Sequence, residues 1–196
     1  MKVVRSKEFI SPIIILVSIC LIVSLALAAT CYAATPVIEA NALASSMESR
    51  IRLLAEADSF SDITTSTPLV SSEDGKAEVS EVFEAENGAG YVMTVTTSSF
   101  GGKLTIMVGI NSDGAVTGVE VTDHSDTAGI GTKDQEPDYL AQYDGLSSLT
   151  STNVKKEKAV TADGSAFEYI SGASVSGTAI HLGVYTALEQ FAAIGG

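Results

Sequence analysis

The sequence predicts an α+β protein, with one N-terminal transmembrane helix followed by a small domain of antiparallel sheet and flanking helices. Three observations carry this reading. A long uncharged apolar run lies near the N-terminus. A series of short β-branched runs follows, separated by glycine-rich turns. The C-terminal stretch returns to apolar residues at helical spacing. Composition agrees: only 18% of residues are charged and 45% are hydrophobic. That balance fits a soluble domain whose apolar count is raised by a membrane segment.

From Phe9 to Ile38 the chain carries no charge. The apolar heart, Ile13 to Ala29, approaches the roughly 20 residues that cross a hydrocarbon core of ~30 Å. A helix satisfies its own backbone in lipid, so this run can span. Lys2, Arg5 and Lys7 precede it, and after Glu8 the next charge is Glu39. By the positive-inside rule residues 1–8 are cytoplasmic, 9–35 cross the cell membrane once, and the domain lies on the extracytoplasmic side. The run is longer than a usual signal core, which favours an anchor over cleavage at Ala28-Ala29-Thr30 or Tyr32-Ala33-Ala34. Thr30 before Cys31 fits a lipoprotein signal poorly.

Residues 36–75 form a juxtamembrane helix and a linker. Ile38, Leu43, Met47, Ile51 and Leu54 recur near helical spacing, predicting a helix from Pro36 to about Phe60. Ser59 to Gly75 is rich in Ser, Thr and Asp, with Pro68, and reads as linker. Residues 76–196 make the globular domain. Glu78–Glu84 alternates in part, and Tyr91–Thr97 is dense in β-branched residues. Lys103–Ile110 is the next strand. Asn111-Ser112-Asp113-Gly114 is a strong turn signal, and Ala115–Val121 is its hairpin partner. Strands joined by such tight turns form an antiparallel sheet. Asp123–Pro137 is a glycine-punctuated loop, and Asp138–Leu146 a short helix. Ser147–Val160 is polar, and its cations Lys155, Lys156 and Lys158 read as an exposed face. The last helix starts near Ser176, with Ile180, Val184, Leu188 and Phe191 in one apolar stripe. His181, Tyr169 and Tyr185 read as packing residues.

The charge pattern excludes several functions. A net charge of −13 disfavours nucleic acid and binding flat on anionic lipid. The two cysteines, Cys20 and Cys31, lie in or beside the apolar run and cannot staple the domain. His124 and His181 are the only histidines, and neither has a second ligand at metal spacing. Redox chemistry in this domain therefore needs an organic cofactor.

The segment from Glu168 to Gly177 is the informative one. It reads Glu168-Tyr169-Ile170-Ser171-Gly172-Ala173-Ser174-Val175-Ser176-Gly177 and runs into the last helix. A helix start presents free N–H groups and the positive end of the dipole, a ready phosphate site. The dipole is worth about 0.3–1 kcal/mol, enough to orient a phosphate but not to retain a ligand. From composition alone, Ser171, Ser174 and Ser176 acting simply as helix caps is the better explanation of the cluster.

Glu168 with Ser171-Gly172-Ala173-Ser174 resembles the flavinylation motif of the FMN-binding domain family. There the motif reads Asp, two variable residues, Ser or Thr, Gly, Ala, then Thr or Ser. The resemblance implies that a flavin transferase moves FMN from FAD onto the hydroxyl of Ser174, forming a phosphoester. Glu168 replaces the usual Asp and lengthens that arm by a methylene; Ser174 replaces the commoner Thr and keeps the hydroxyl. Val175 and Ser176 continue the segment.

A second segment, His124-Ser125-Asp126-Thr127-Ala128-Gly129-Ile130-Gly131-Thr132-Lys133, resembles the His-x-Glu-Thr-Pro-Gly-Leu-Gly-x-Lys loop of Rnf complex G subunits, departing at Asp126, Ala128 and Ile130. The related sodium-pumping NADH:quinone reductases carry a similar flavinylated subunit. In this reading Gly129 and Gly131 allow positive φ and close approach to a flat ring. Thr127 and nearby N–H groups donate to the isoalloxazine edge and tune its potential. His124 serves equally as a flavin contact or a turn residue, and Lys133 contacts phosphate or solvent.

The resemblance implies an electron relay with covalent FMN, one redox subunit of a membrane complex that couples ferredoxin:NAD oxidoreduction to ion pumping. Its partners are the other membrane subunits and, during maturation, the transferase; the chain alone turns over no substrate. Two alternatives share much of the sequence evidence. One is a free-standing flavinylated extracytoplasmic shuttle. The other is a non-redox anchored surface module.

Overall fold

A computed structural model describes residues 6–195, the side chains of residues 6–10 and 39 apart. Lys2 and Arg5, on which the expectation of an inward-facing N-terminus rests, lie outside the described residues, as does the side chain of Lys7. The chain divides into two compact units, Met1–Ser46 and Met47–Gly196. Helix α1, Ser6–Leu53, begins in the first and ends in the second.

In the first unit α1 is long and apolar enough to cross a membrane. Ile13, Leu16, Ile22, Leu25 and Leu27 are all exposed. Two polar side chains along it bond their own helix. Thr30 Oγ1 donates to the Ala26 carbonyl at 2.9 Å and Thr35 Oγ1 to that of Cys31 at 2.8 Å. That removes two donors which lipid could not satisfy.

In the second unit five strands form one antiparallel meander in sequence order. They are β1 (Phe60–Asp62), β2 (Ala77–Ala85), β3 (Gly90–Ser98), β4 (Lys103–Asn111) and β5 (Val116–His124). The predicted turns deliver the register. Gly90 pairs with Asn111 and Ser98 with Lys103 across β3 and β4. Asn111 caps the next hairpin, its side chain accepting from the N–H groups of Asp113 and Ala115, with Gly114 at φ +82°. Alternation sends Met93, Val95, Leu104, Ile106, Val108 and Ile110 to one face, where they meet Ile180, Val184 and Phe191 of helix α3 (Ser174–Ile194). Val92 and Met107 point the other way, onto Leu53, Leu54 and Ala57. Both faces are therefore buried, and Val92, Met93, Val95 and Ile106 are fully enclosed.

Expectations for three segments are corrected here. The juxtamembrane helix stops at Leu53 rather than near Phe60, and its predicted stripe is not a core face: Met47 and Ile51 are exposed. Leu53 and Leu54 are drawn under the sheet instead, and Phe60–Asp62 leaves the linker to pair with Phe83–Ala85. Backbone pairing at a free sheet edge outweighs the loop composition there. The short helix expected over Asp138–Leu146 is one turn, α2 (Pro137–Leu140), continued by a 3₁₀ turn at Ala141–Tyr143.

Candidate functional site

Helix α3 begins two residues earlier than the apolar stripe suggests, at Ser174. Its N-cap is Ala173, which has no side chain able to cap, and Gly172 at φ +95° turns the chain into it. The first intrahelical bond runs from Gly177 N–H to the Ala173 carbonyl at 3.0 Å. The N–H groups of Ser174, Val175 and Ser176 thus stand free, as at any helix start. The capping explanation for the serines fails here: neither Ser171 nor Ser174 bonds the backbone, and the Ser174 hydroxyl has no hydrogen-bond partner among the described residues. Ser174 is half-buried, Ser171, Gly172 and Val175 are exposed, and Ser176 is buried.

Ser174 lines a cavity of about 550 Å³. Asp74 and Lys76 come to it from the turn before β2, and Ser98 from the end of β3. Thr152, Asn153 and Lys155 come from the polar loop, and Val175 and Thr178 from α3 itself. Lys76 is paired with Asp74 at 2.9 Å, so that pair is nearly neutral. Hydrogen bonds from Lys76 and Ser72 hold the Asp74 carboxyl down at about 2. Lys155 is in no ion pair among the described residues; its ammonium lies 5.6 Å from the ring centre of Tyr169. A free hydroxyl and an unpaired ammonium on one cavity, at a helix start with free N–H groups, suit a phosphoryl group. The residues present therefore fit an FMN phosphate.

The His124–Lys133 loop packs beside this helix start but does not line the Ser174 cavity. Buried Asp126 anchors it, accepting from Ser99 Oγ at 2.6 Å and from Gly101 N–H at 2.8 Å. The two glycines differ in purpose. Gly129 adopts φ +76°, whereas a Cβ on Gly131 would lie 2.8 Å from Ser176 Oγ. Gly131 is therefore the point where the loop touches the helix. His124, Thr127, Ile130 and Lys133 are exposed, and Thr127 turns the loop, its carbonyl accepting from the N–H groups of Ile130 and Gly131. Next to Lys133, fully buried Asp134 faces Gly177, and neither carboxylate oxygen has a partner. Burial raises it to about 6; the nearby Gly177 N–H opposes this and the Asp126 charge adds to it.

Glu168 stands apart from Ser174. Its N–H donates to Gln142 Oε1 at 3.1 Å and its carbonyl accepts from Tyr139 OH at 3.3 Å. It lines a second cavity, of about 420 Å³, with Asp138, Asp144 and Asp163. Motif acid and acceptor hydroxyl thus face different cavities.

The sequence reading missed Lys155, Thr152 and Asn153 as neighbours of Ser174. Their segment lies about twenty residues before the motif, and only the packing of the 3₁₀ turn Val154–Lys156 on α3 brings it there. It also missed Asp134, whose burial nothing local announces.

Comparison with known proteins supports the same region. Residues 99–189 match the FMN-binding domain family. The chain is 33% identical over 122 residues to the G subunit of the ion-translocating oxidoreductase complex of Stutzerimonas stutzeri, covering 60% of this chain and 53% of that one. It is 27% identical over 187 residues to the G subunit of the Na(+)-translocating ferredoxin:NAD(+) oxidoreductase complex of Acetobacterium woodii, covering 91% and 89%. The proton-translocating counterpart of Clostridium ljungdahlii is 23% identical over 171 residues, covering 87% and 85%. The match thus spans about half the length of the first relative and most of the other two.

Proposed function

We propose, from the match of residues 99–189 to the FMN-binding domain family, that the chain is the G subunit of an Rnf-type complex and carries one FMN esterified through its phosphate to Ser174. It relays electrons within a membrane ion-translocating ferredoxin:NAD oxidoreductase and turns over no substrate by itself. The carrying observation is the Ser174 hydroxyl: partnerless, half-exposed, at a helix start, and facing a cavity with an unpaired ammonium.

Bound FMN supplies reversible uptake and release of electrons; the protein supplies attachment, orientation and electrostatics. Ser174 gives the oxygen of the ester. The free N–H groups of the first turn of α3 hold the phosphoryl oxygens. The His124–Lys133 loop, braced against Ser176 through Gly131, supplies ring contacts through Thr127, Gly129 and Ile130. Ser171, Gly172, Ala173 and Glu168 form the segment that the flavin transferase reads, with Val175 and Ser176 completing it. Helix α1 anchors the domain on the extracytoplasmic side of the cell membrane, with the N-terminus inside. The anchor raises the effective concentration of the domain near its partner subunits.

The test is expression with and without a flavin transferase, followed by a denaturing gel viewed under ultraviolet light. A fluorescent band only with the transferase, and co-purification with polytopic membrane subunits from the native host, are the expected results. A fluorescent protein that purifies alone would favour a free-standing shuttle. A dark band despite an active transferase would remove the redox reading.

A further inference from the structure

The polar loop beside Ser174 is held by an unusual amount of buried polar structure. Glu157, whose side chain has no exposed surface, accepts from the N–H groups of Thr150, Lys158 and Ala159 at 2.8–3.0 Å and from Thr150 Oγ1 at 2.5 Å. Burial alone would push its carboxyl up. The bonds from Thr150, Ala159 and His181 win and hold it at about 2. His181, fully buried on α3 seven residues after Ser174, brings Nε2 to 2.8 Å from Glu157 Oε2 and 2.9 Å from the Ser151 carbonyl. Both are acceptors, so Nε2 carries the proton. Nδ1 then accepts from Tyr143 OH at 3.2 Å. Phe167 packs edge-on against both rings, each centre 5.2 Å away.

This cluster ties four stretches of chain to one imidazole: α3, the loop 150–159, the 3₁₀ turn that ends at Tyr143, and the segment with Phe167 that leads into the motif. Between its attachment points lies the 3₁₀ turn Val154–Lys156. Val154 plugs it into the core, and Asn153 accepts the Lys155 N–H at 3.0 Å. The turn has little freedom; of its two exposed lysines, Lys155 is the one that lines the Ser174 cavity and lies by the Tyr169 ring. Lys156 and Lys158 do not line that cavity. Among the cavity's cations, Lys76 already has Asp74, which leaves Lys155 as the uncompensated charge.

We propose that Lys155 is the cationic partner of the phosphoryl group on Ser174, positioned by the buried Tyr143–His181–Glu157 cluster. This deepens the proposed function and rests on it only for the identity of the phosphoryl group. A phosphoester leaves an ionised oxygen at the helix start. One ammonium, presented without an acid to share it, neutralises that oxygen and fixes the direction in which the attached group leaves the helix.

The test uses full-length protein in a phosphate-free detergent, with phosphoserine installed at position 174 and titrated by phosphorus NMR. A phosphoserine loses its second proton near 6. Partnered by Lys155, it should lose that proton about half a unit to one unit lower than in the Lys155→Met variant. Both proteins share the helix dipole, so the difference isolates the ammonium. Lys156→Met should titrate like the parent. His181→Gln should reproduce part of the Lys155→Met shift and add nothing to it in the double variant, since both act through one group. Identical titrations for the parent, Lys155→Met and Lys156→Met would overturn the proposal. The titration needs no flavin. A chain that never accepts FMN but shows the Lys155 shift would sink the FMN reading alone, and the reverse result would sink this proposal alone.

Discussion

The two ends of helix α3 use polar residues in opposite ways. From His181 onward every buried polar side chain has partners. His181 is bonded at both nitrogens. Thr186 Oγ1 donates to the Leu182 carbonyl at 2.8 Å. Gln190 donates to the Pro68 carbonyl and accepts from Val70 N–H at 2.7 Å. In the first turn Ser174 has no partner among the described residues, three N–H groups are free, and the neighbouring Asp134 is buried unpaired. Partnered polar groups fix a structure, while unpartnered ones cost stability unless a ligand completes them. The difference supports the proposed binding of the phosphoryl group at the helix start.

The most damaging way to break this contrast is to unpair the ordered end. His181→Phe strips one donor from Glu157 and the partner from Tyr143 OH, both buried. It should cost about 3 kcal/mol in urea unfolding; a change under about 1 kcal/mol would mean that the cluster is not a brace. The wild-type stability should also depend on pH through this residue. Burial lowers the His181 value in the folded state despite the Glu157 contact. Its contribution is therefore full above the unfolded value of about 6.5 and is lost as pH falls through the folded value. His181→Gln should remove that slope.

Next in size is the loop anchor. A Cβ on Gly101 would collide with the Ser125 carbonyl oxygen and the Asp126 Cα. Gly101→Ala should cost about 2 kcal/mol and speed amide exchange over residues 124–133. Unchanged exchange there would show that Asp126 does not hold the loop.

At the other end of α3 the sign reverses. Folding raises the Asp134 carboxyl to about 6. Its contribution is thus fully present below the unfolded value of about 3.8 and is lost as pH rises through the folded value. Asp134→Asn should gain about 1–2 kcal/mol at pH 8 and flatten the dependence between about pH 4 and 6. A loss of stability at that alkaline pH would mean that the carboxylate has a partner. The smallest effect is expected at the acceptor itself. Without flavin, Ser174→Ala should stay within about 0.5 kcal/mol of the parent, whereas a capping serine would cost about 1 kcal/mol.

Much of this was legible in the sequence. Turn chemistry at Asn111–Gly114 and β-branched density at Tyr91–Thr97 set the hairpins, because both signals are local. The apolar run of α1 needed only its length. β1 was not legible, since three residues in a Ser- and Asp-rich linker become a strand only when β2 offers an edge. The motif serines were visible, but their freedom was not: capping and availability look alike in sequence and differ in whether Ala173 occupies the N-cap. Lys155 read as one of three solvated lysines because what sets it apart is a contact with a helix some twenty residues away.

The central claim is that the Ser174 hydroxyl is the free nucleophilic oxygen of this helix start and bears the phosphate of FMN. Intact mass of protein co-expressed with a flavin transferase, measured beside Ser174→Ala, tests it most directly. The expected result is a gain of one FMN less water in the parent, mapped to the Glu168–Gly177 segment and absent from the variant. The bare sequence mass in both, with the transferase active on a control substrate, would contradict it.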